Sequence, residues 1–391
     1  MPLSGEVRKG YEALRPFLAA MLDPELQAAF EAPDVCDFLV GNPEEPSLPG
    51  YVEALQKWAV PEHRRWFAYG FGHPAAQRAA AEGLSAELGL PFEPDDILLT
   101  RGAHGALAMA MHLVVDPGDE VVFVSPPWFF YEVMILSANA TPVRVRADMT
   151  TFDLDLDAIA AALTARTKMV LVNTPNNPTG RIYPAETLER LASILEQHAL
   201  AVGHDVYLLS DESYSKVLYD GNRMISPARW YANTFLVHTY SKSSLAPGQR
   251  VGYVALPPDM HDRQDFREGS LLVSVATGNG FPDAIMQYAL PDIEGIVLDT
   301  DRLQRKRDRM LGALRSFGYD VRTPEGTFYL LPRCPQEDDL AWCRLLAREH
   351  VAVLPGSACE MPGYFRISLT GTDDMVERAL PVFERMVRVD A

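Results

Sequence analysis

From residue 96 the chain alternates short apolar runs with helical stretches, and this alternation narrows the possible folds more than any other feature. Asp96-Ile-Leu-Leu-Thr100, Glu120–Ser125, Thr141–Val145, Lys168–Asn173 and Asp205–Ser210 read as strands. Helices are expected over 105–115, 155–164 and 185–199. Strands separated by helices imply βαβ units and a largely parallel sheet. Met169-Val-Leu-Val172 is apolar at every position, as a strand covered on both faces requires. The expected fold is therefore α/β, with a mostly parallel central sheet and helices on both faces. Upstream, residues 1–47 read as a helical arm and then an extended segment, with Asp37–Pro43 a strand closing on a turn. Helices are expected over 50–59 and 74–88, and Pro74 suits a first helical turn. A long helical pattern over 295–317 leads into an α+β segment over 318–391. A chain of 391 residues exceeds one compact core. The reading is a large domain over 48–294 and a smaller α+β domain formed by 1–47 with 295–391.

Composition excludes some functions. A net charge of −18 opposes non-specific binding to nucleic acid or to an anionic membrane surface. Phe17–Leu22 and Ala106–Val115 are apolar but too short to span a bilayer, and no signal peptide is read at the N-terminus. Cys36, Cys334, Cys343 and Cys359 lack the paired spacing of a zinc site. No metal is expected, and reduced thiols in a cytoplasm are.

Chemistry gathers at strand ends. The stretch His238–Gly252 reads as a strand end, a Ser-rich loop carrying Lys242, and Arg250 eight positions later, before a second strand over Val251–Leu256. Withdrawal from solvent and a nearby cation both favour a neutral amine, the form that attacks carbonyls. The plain alternative is a solvated loop lysine. Arg101-Gly-Ala-His-Gly105 joins a strand to a helix, where small residues let backbone N–H groups face an anion such as phosphate. Trp128, in the aromatic run Ser125–Tyr131, can stack on a planar ring or simply pack. Asn173-Thr-Pro-Asn-Asn-Pro-Thr-Gly180 is a rigid turn that offers Asn176 and Asn177 at the sheet edge. Asp211 ends another strand, with Tyr214 three residues on; a helix cap is the alternative for Asp211. An anion cradle, a stacking ring, polar groups, a carboxylate for a ring nitrogen and a lysine amine together describe a site for pyridoxal 5′-phosphate.

On these motifs the chain resembles the fold-type I pyridoxal-phosphate enzymes, specifically the aspartate aminotransferase-like class I/II aminotransferases. The resemblance runs from about Gly41 to Arg366, with the motifs in the family's order. It implies transfer of an amino group between an L-amino acid and a 2-oxo acid through a Lys242 Schiff base, with Lys242 then moving the proton. Asp211 would pair with the pyridine nitrogen, Asn177 and Tyr214 with the ring's 3′ oxygen, and Trp128 with the ring face. Gly102, Ala103 and His104 would cradle the phosphate together with Thr239 and Arg250. Arg366, within Gly363–Leu369, would grip the substrate's α-carboxylate bidentately. Gly41, Asn177 and Trp128 would also face the substrate. Tyr69 would reach the neighbouring subunit's phosphate, which implies a homodimer with shared active sites.

The sequence departs from the family in two places. His104 stands where a small or polar residue is common, and Thr239 where serine is. No motif marks a second arginine for a dicarboxylate side chain; Arg64 and Arg65 are candidates only by nearness to Tyr69. Loops near 10–40, 66–73 and 270–290 are expected to set side-chain specificity. Gly70–Ala75 fits a dinucleotide fingerprint but follows no strand and contains a proline. The same cofactor residues would also support β-elimination, decarboxylation or oxidation. A non-catalytic pyridoxal-phosphate-binding regulator would need a DNA-binding module, for which the residues before 41 leave no room.

Overall fold

The computed structural model describes residues 2–387. Its strands in chain order are β1 (Cys36–Phe38), β2 (Ile97–Thr100), β3 (Glu120–Ser125), β4 (Thr141–Arg146), β5 (Thr167–Asn173), β6 (Tyr207–Asp211), β7 (Thr234–Thr239), β8 (Gly252–Ala255), β9 (Tyr329–Leu330), β10 (Val351–Pro355) and β11 (Phe365–Ser368). A seven-stranded sheet runs β2-β8-β7-β6-β5-β3-β4, and a four-stranded sheet runs β1-β10-β11-β9. In the larger sheet β8 runs against both neighbours, and the remaining pairs are parallel.

Period-2 geometry explains why the central strands are apolar throughout. Val121 and Phe123 of β3, with Met169 and Leu171 of β5, enter one core. Val122 and Val124, with Val170 and Val172, enter a second core on the opposite face. Helices cover both. The helix Gly102–Val114 is on the first side and Ala185–Val202 on the second. The smaller sheet has its own core, where Phe38, Val353 and Ile367 meet Leu314, Trp342 and Phe383.

Most expected elements are present, with shifted ends. The helix expected from 295 begins at Thr300, because the Asp299 carboxylate accepts from Arg302 N–H at 2.8 Å and caps it there. The residues around Lys242, read as a loop, form one helical turn, Tyr240–Ser243. Thr239 caps that turn by accepting from Ser241 N–H at 3.2 Å. Four residues are too few to show helical periodicity in a sequence. The region read as a loop near 270–290 holds two helices, Arg263–Ala276 and Ala284–Glu294, the second with Pro291 inside it. The helical arm expected at the start of 1–47 is present as Gly5–Ala13, Arg15–Met21 and Pro24–Phe30, so the segment 10–40 is more helix than loop.

Candidate active site

Because β3, β5, β6 and β7 are parallel, their carboxyl ends share one edge of the larger sheet. Ligands bind outside such edges in open α/β sheets. Here the edge opens on a cavity of about 210 Å³.

Asp211 ends β6 opposite Asn173, the last residue of β5. Its buried carboxylate accepts from the Tyr131 hydroxyl at 2.6 Å, the Ser213 hydroxyl at 2.6 Å and the Ser213 N–H at 3.1 Å. Burial pushes Asp211 above the usual carboxylate value, against the pull of Ser213, Tyr131 and Lys242. All its hydrogen-bond donors are neutral, so the carboxylate suits a cationic N–H placed in the cavity. The Asn173 side chain donates to the Asp211 carbonyl at 2.9 Å and accepts from Asn177 N–H at 2.7 Å. That pair of bonds ties the turn 173–180 to β6.

Lys242 stands half-buried across the cavity. Its Nζ donates to the Gly41 carbonyl at 3.0 Å and lies 5.7 Å from the centre of the Tyr214 ring. The Tyr214 and Tyr329 hydroxyls are 2.9 Å apart. Burial and the neighbouring Tyr329 push Tyr214 well above its ordinary value. Burial is the largest influence on Tyr329 and raises it, but Lys242, Arg366 and the hydrogen bond with Tyr214 together leave that hydroxyl lowered. Gly41 has no room for a side chain, since a Cβ would sit 2.4 Å from the Tyr329 hydroxyl.

An anion cradle lies at the other end. Gly102 and Ala103 open the helix Gly102–Val114, whose first N–H groups lack helical partners. Gly102 has φ +72°, and a Cβ there would meet Arg250 Nη2 at 2.7 Å. Arg250 donates to Ser241 Oγ at 3.2 Å and to the Pro247 carbonyl at 2.6 Å. Thr239 Oγ1 lies 2.9 Å from the same Ser241 Oγ. Backbone N–H groups, a guanidinium and two hydroxyls together suit a phosphate. His104 and Trp128 meet edge to face, 5.6 Å between ring centres.

Arg366, on β11, is 2 % exposed. It donates to Asn177 Oδ1 at 3.0 Å and to the Leu39 carbonyl at 3.1 Å, and the Tyr329 ring centre is 4.2 Å from its guanidinium carbon. Its Nε has no partner among the described residues. A buried guanidinium with a spare donor suits an incoming carboxylate.

The residues expected from sequence thus converge. Lys242, Asp211, Tyr214, Ala103, His104, Trp128, Asn177, Thr239, Arg250, Arg366 and Gly41 line the cavity, and Gly102 packs on Arg250 beneath it. Tyr69 does not line the cavity of its own chain; it is 89 % exposed, beside Phe281. Sequence reasoning missed Tyr131, Ser213, Ser241 and Tyr329. Ser213 and Ser241 each neighbour a residue it did select. Tyr131 closed the aromatic run that contained Trp128. Tyr329 carried no spacing signal.

The family profile described as "Aminotransferase class I and II" matches residues 33–383. The chain belongs to the class I and II aminotransferases. It is 31% identical to the aspartate/prephenate aminotransferase of Thermus thermophilus, across 96% of this chain and 97% of that one. The solved aspartate aminotransferase from Thermus thermophilus with maleate superposes with a TM-score of 0.86 at 29% identity, covering 99% of this chain and 100% of the other. The aspartate aminotransferase of Thermotoga maritima gives a TM-score of 0.85 at 27% identity, covering 98% and 99%. This aminotransferase depends on pyridoxal 5′-phosphate and transfers an amino group between an amino acid and a 2-oxo acid. Elimination, decarboxylation and oxidation are not favoured by these likenesses. The cavity fits the cofactor by its own chemistry: an anion cradle at one end, a carboxylate with only neutral donors, and a lysine amine between. Among the described residues no helix is long and apolar enough to cross a membrane, and no cluster of metal-binding side chains occurs.

Proposed function

We propose that Lys242 of this aminotransferase holds the cofactor and carries the proton, while Arg366 takes the substrate's α-carboxylate. One observation carries the reading. The buried Arg366, with its unpartnered Nε, opens into the same cavity as the Lys242 amine. When bound, pyridoxal phosphate supplies an electron sink for the pair left on the substrate's α-carbon. Arg366 would fix the carboxylate and so present the α-proton to Lys242 Nζ, which would take it from the α-carbon and deliver it to the cofactor instead of giving it back. Gly41 holds that amine through its carbonyl while the lysine waits. Asp211 would keep a proton on the ring nitrogen, and Tyr131 and Ser213 keep Asp211 in line. Tyr214 and Asn177 would face the ring oxygen, and Trp128 the ring face. The N–H groups of Gly102 and Ala103, with His104, Thr239 and Arg250, would hold the phosphate.

The larger sheet belongs to a cofactor domain over 48–294, and the smaller sheet to a second domain formed by 1–47 with 295–391; separate cores support this division. We also propose a homodimer with shared sites. Tyr69 extends from the surface beside Phe281, which also meets the exposed Phe71, and exposed rings grouped in this way favour being covered. Buried, unpaired cysteines agree with work in a cytoplasm.

Lys242→Ala tests the assignment. The variant should lose the absorption band of lysine-linked cofactor, which is read without substrate, and should show no turnover. Multiple turnovers retained in that variant would sink the reading. In the wild type, an amino acid alone should convert the cofactor to its amine form, and a 2-oxo acid should restore it.

A further inference from the structure

Once the carboxylate, the amine and the cofactor are assigned as above, one part of the cavity wall remains, and it is aromatic. Phe129 faces the cavity with its ring centre 5.8 Å from the Arg366 guanidinium carbon. Phe17, from the helix Arg15–Met21, stacks on Phe129 at 4.1 Å and 16° between planes. Phe130 packs edge-on against Phe129 at 4.7 Å and against Trp128 at 5.2 Å. His104 completes the set, 6.0 Å from Phe130.

The same wall offers little to a second carboxylate. The basic side chains lining the cavity are Lys242, Arg250, Arg366 and His104. The proposed roles occupy the first three. His104 lies within the cleft, where loss of bulk water and the nearby Arg250 push it below the ordinary imidazole value. A neutral imidazole supplies no counter-charge at neutral pH. Arg144, behind Phe129, is engaged with Glu132 and Glu360. Arg8 and Lys9 line a separate cavity on the far side of Phe129. Arg64 and Arg65 are exposed and line a surface pocket away from the site of their own chain. Within one chain, a carboxylate set against this wall would lose water without gaining a cation, which is heavily penalised; a cation supplied by the partner subunit would show itself as faster conversion of aspartate in the test below.

We propose that the substrate pocket of this enzyme reads an uncharged, apolar side chain, aromatic by preference, through Phe129 backed by Phe17 and Phe130. This rests on the assignment of Lys242 and Arg366 above. It separates the chain from relatives whose names specify aspartate.

The test uses the purified holoenzyme and two readouts. In single-turnover conversion of the cofactor, L-phenylalanine should exceed L-aspartate in specificity by about tenfold or more, the discrimination a shaped apolar pocket supplies. Unreactive 3-phenylpropionate should likewise bind more tightly than succinate, read from its perturbation of the cofactor spectrum. Phe129→Ala should lower the phenylalanine-to-alanine specificity ratio about tenfold, while Phe129→Leu, which keeps most of the apolar volume, should lower it less. Faster conversion of aspartate than phenylalanine would overturn the proposal and leave the transaminase assignment standing. So would an unchanged ratio in a folded Phe129→Ala protein. If no amino acid, alanine included, converts the cofactor, the transaminase assignment fails and this inference falls with it.

Discussion

Asp211 and Arg366 lie on opposite walls of one cavity, and the chain secures them by different means. Asp211 belongs to a wall made of consecutive strand ends. Its partners Ser213 and Asn173 are held by the turns that leave β5 and β6, and the register of parallel strands sets their spacing. Arg366 belongs to a wall gathered from distant pieces: β11, the segment after β1, and Tyr329 of β9. The first wall is stiff because the sheet stiffens it. The second depends on segments distant in sequence that meet only once the smaller sheet has formed. Catalytic position is thus a local property on one side and a tertiary property on the other.

Substitutions can break or sharpen this contrast. The largest effect is expected on the strand-end wall. Asp211→Ala should lower kcat about 10²–10³-fold or more, as when a preorganised electrostatic group is lost. A fall of less than tenfold would mean that this wall is no more demanding than its opposite. Arg366→Lys keeps the charge and loses the fork. It should lower kcat/KM about 10- to 100-fold, mostly through KM, the worth of a charge-assisted hydrogen bond. An effect on kcat alone would move Arg366 from gripping substrate to shaping the wall. Tyr329→Phe removes one hydroxyl shared with Tyr214, and about 2- to 10-fold in kcat/KM is expected for one neutral hydrogen bond. A loss as large as that of Asp211→Ala would erase the contrast.

Away from both walls the expected effect is on stability and leaves catalysis alone. Glu212 points away from the cavity, accepts from Ser210 at 2.9 Å and Ser226 at 2.5 Å, and is pushed by burial to about 8. Its folded-state value lies above its unfolded value of 4.5, so the folded chain holds the extra proton. This contribution is complete below the unfolded value and is lost as pH rises towards 8. Glu212→Gln cannot titrate. Its melting temperature relative to wild type should therefore rise between pH 5 and pH 8; a constant difference would show that Glu212 does not titrate in this window.

What could be read in advance follows the same division. The turn Asn173–Gly180, the pair Asp211 and Tyr214, and the run from Thr239 to Arg250 keep fixed spacings, because each hangs from one strand end. Spacing is visible in a sequence, so the strand-end wall was legible together with the α/β alternation. Arg366 was singled out by the family resemblance of Gly363–Leu369, since a strand pattern alone would equally suit a surface arginine. Tyr329 and Phe17 were invisible, since their contacts join residues far apart in the chain and no periodicity reports that. The helices Arg263–Ala276 and Ala284–Glu294 escaped for another reason. The first carries few buried residues, and the second contains a proline, which normally argues against a helix interior.

At the reacting end of the cavity, three hydrogen bonds run from one sheet's territory to the other's: Lys242 to Gly41, Arg366 to Asn177, and Tyr214 to Tyr329. They act as fasteners on a single clasp. Any displacement of the smaller sheet from the larger would break all three at once, so the hold on the amine, the hold on the guanidinium and the tyrosine pair stand or fall as one unit.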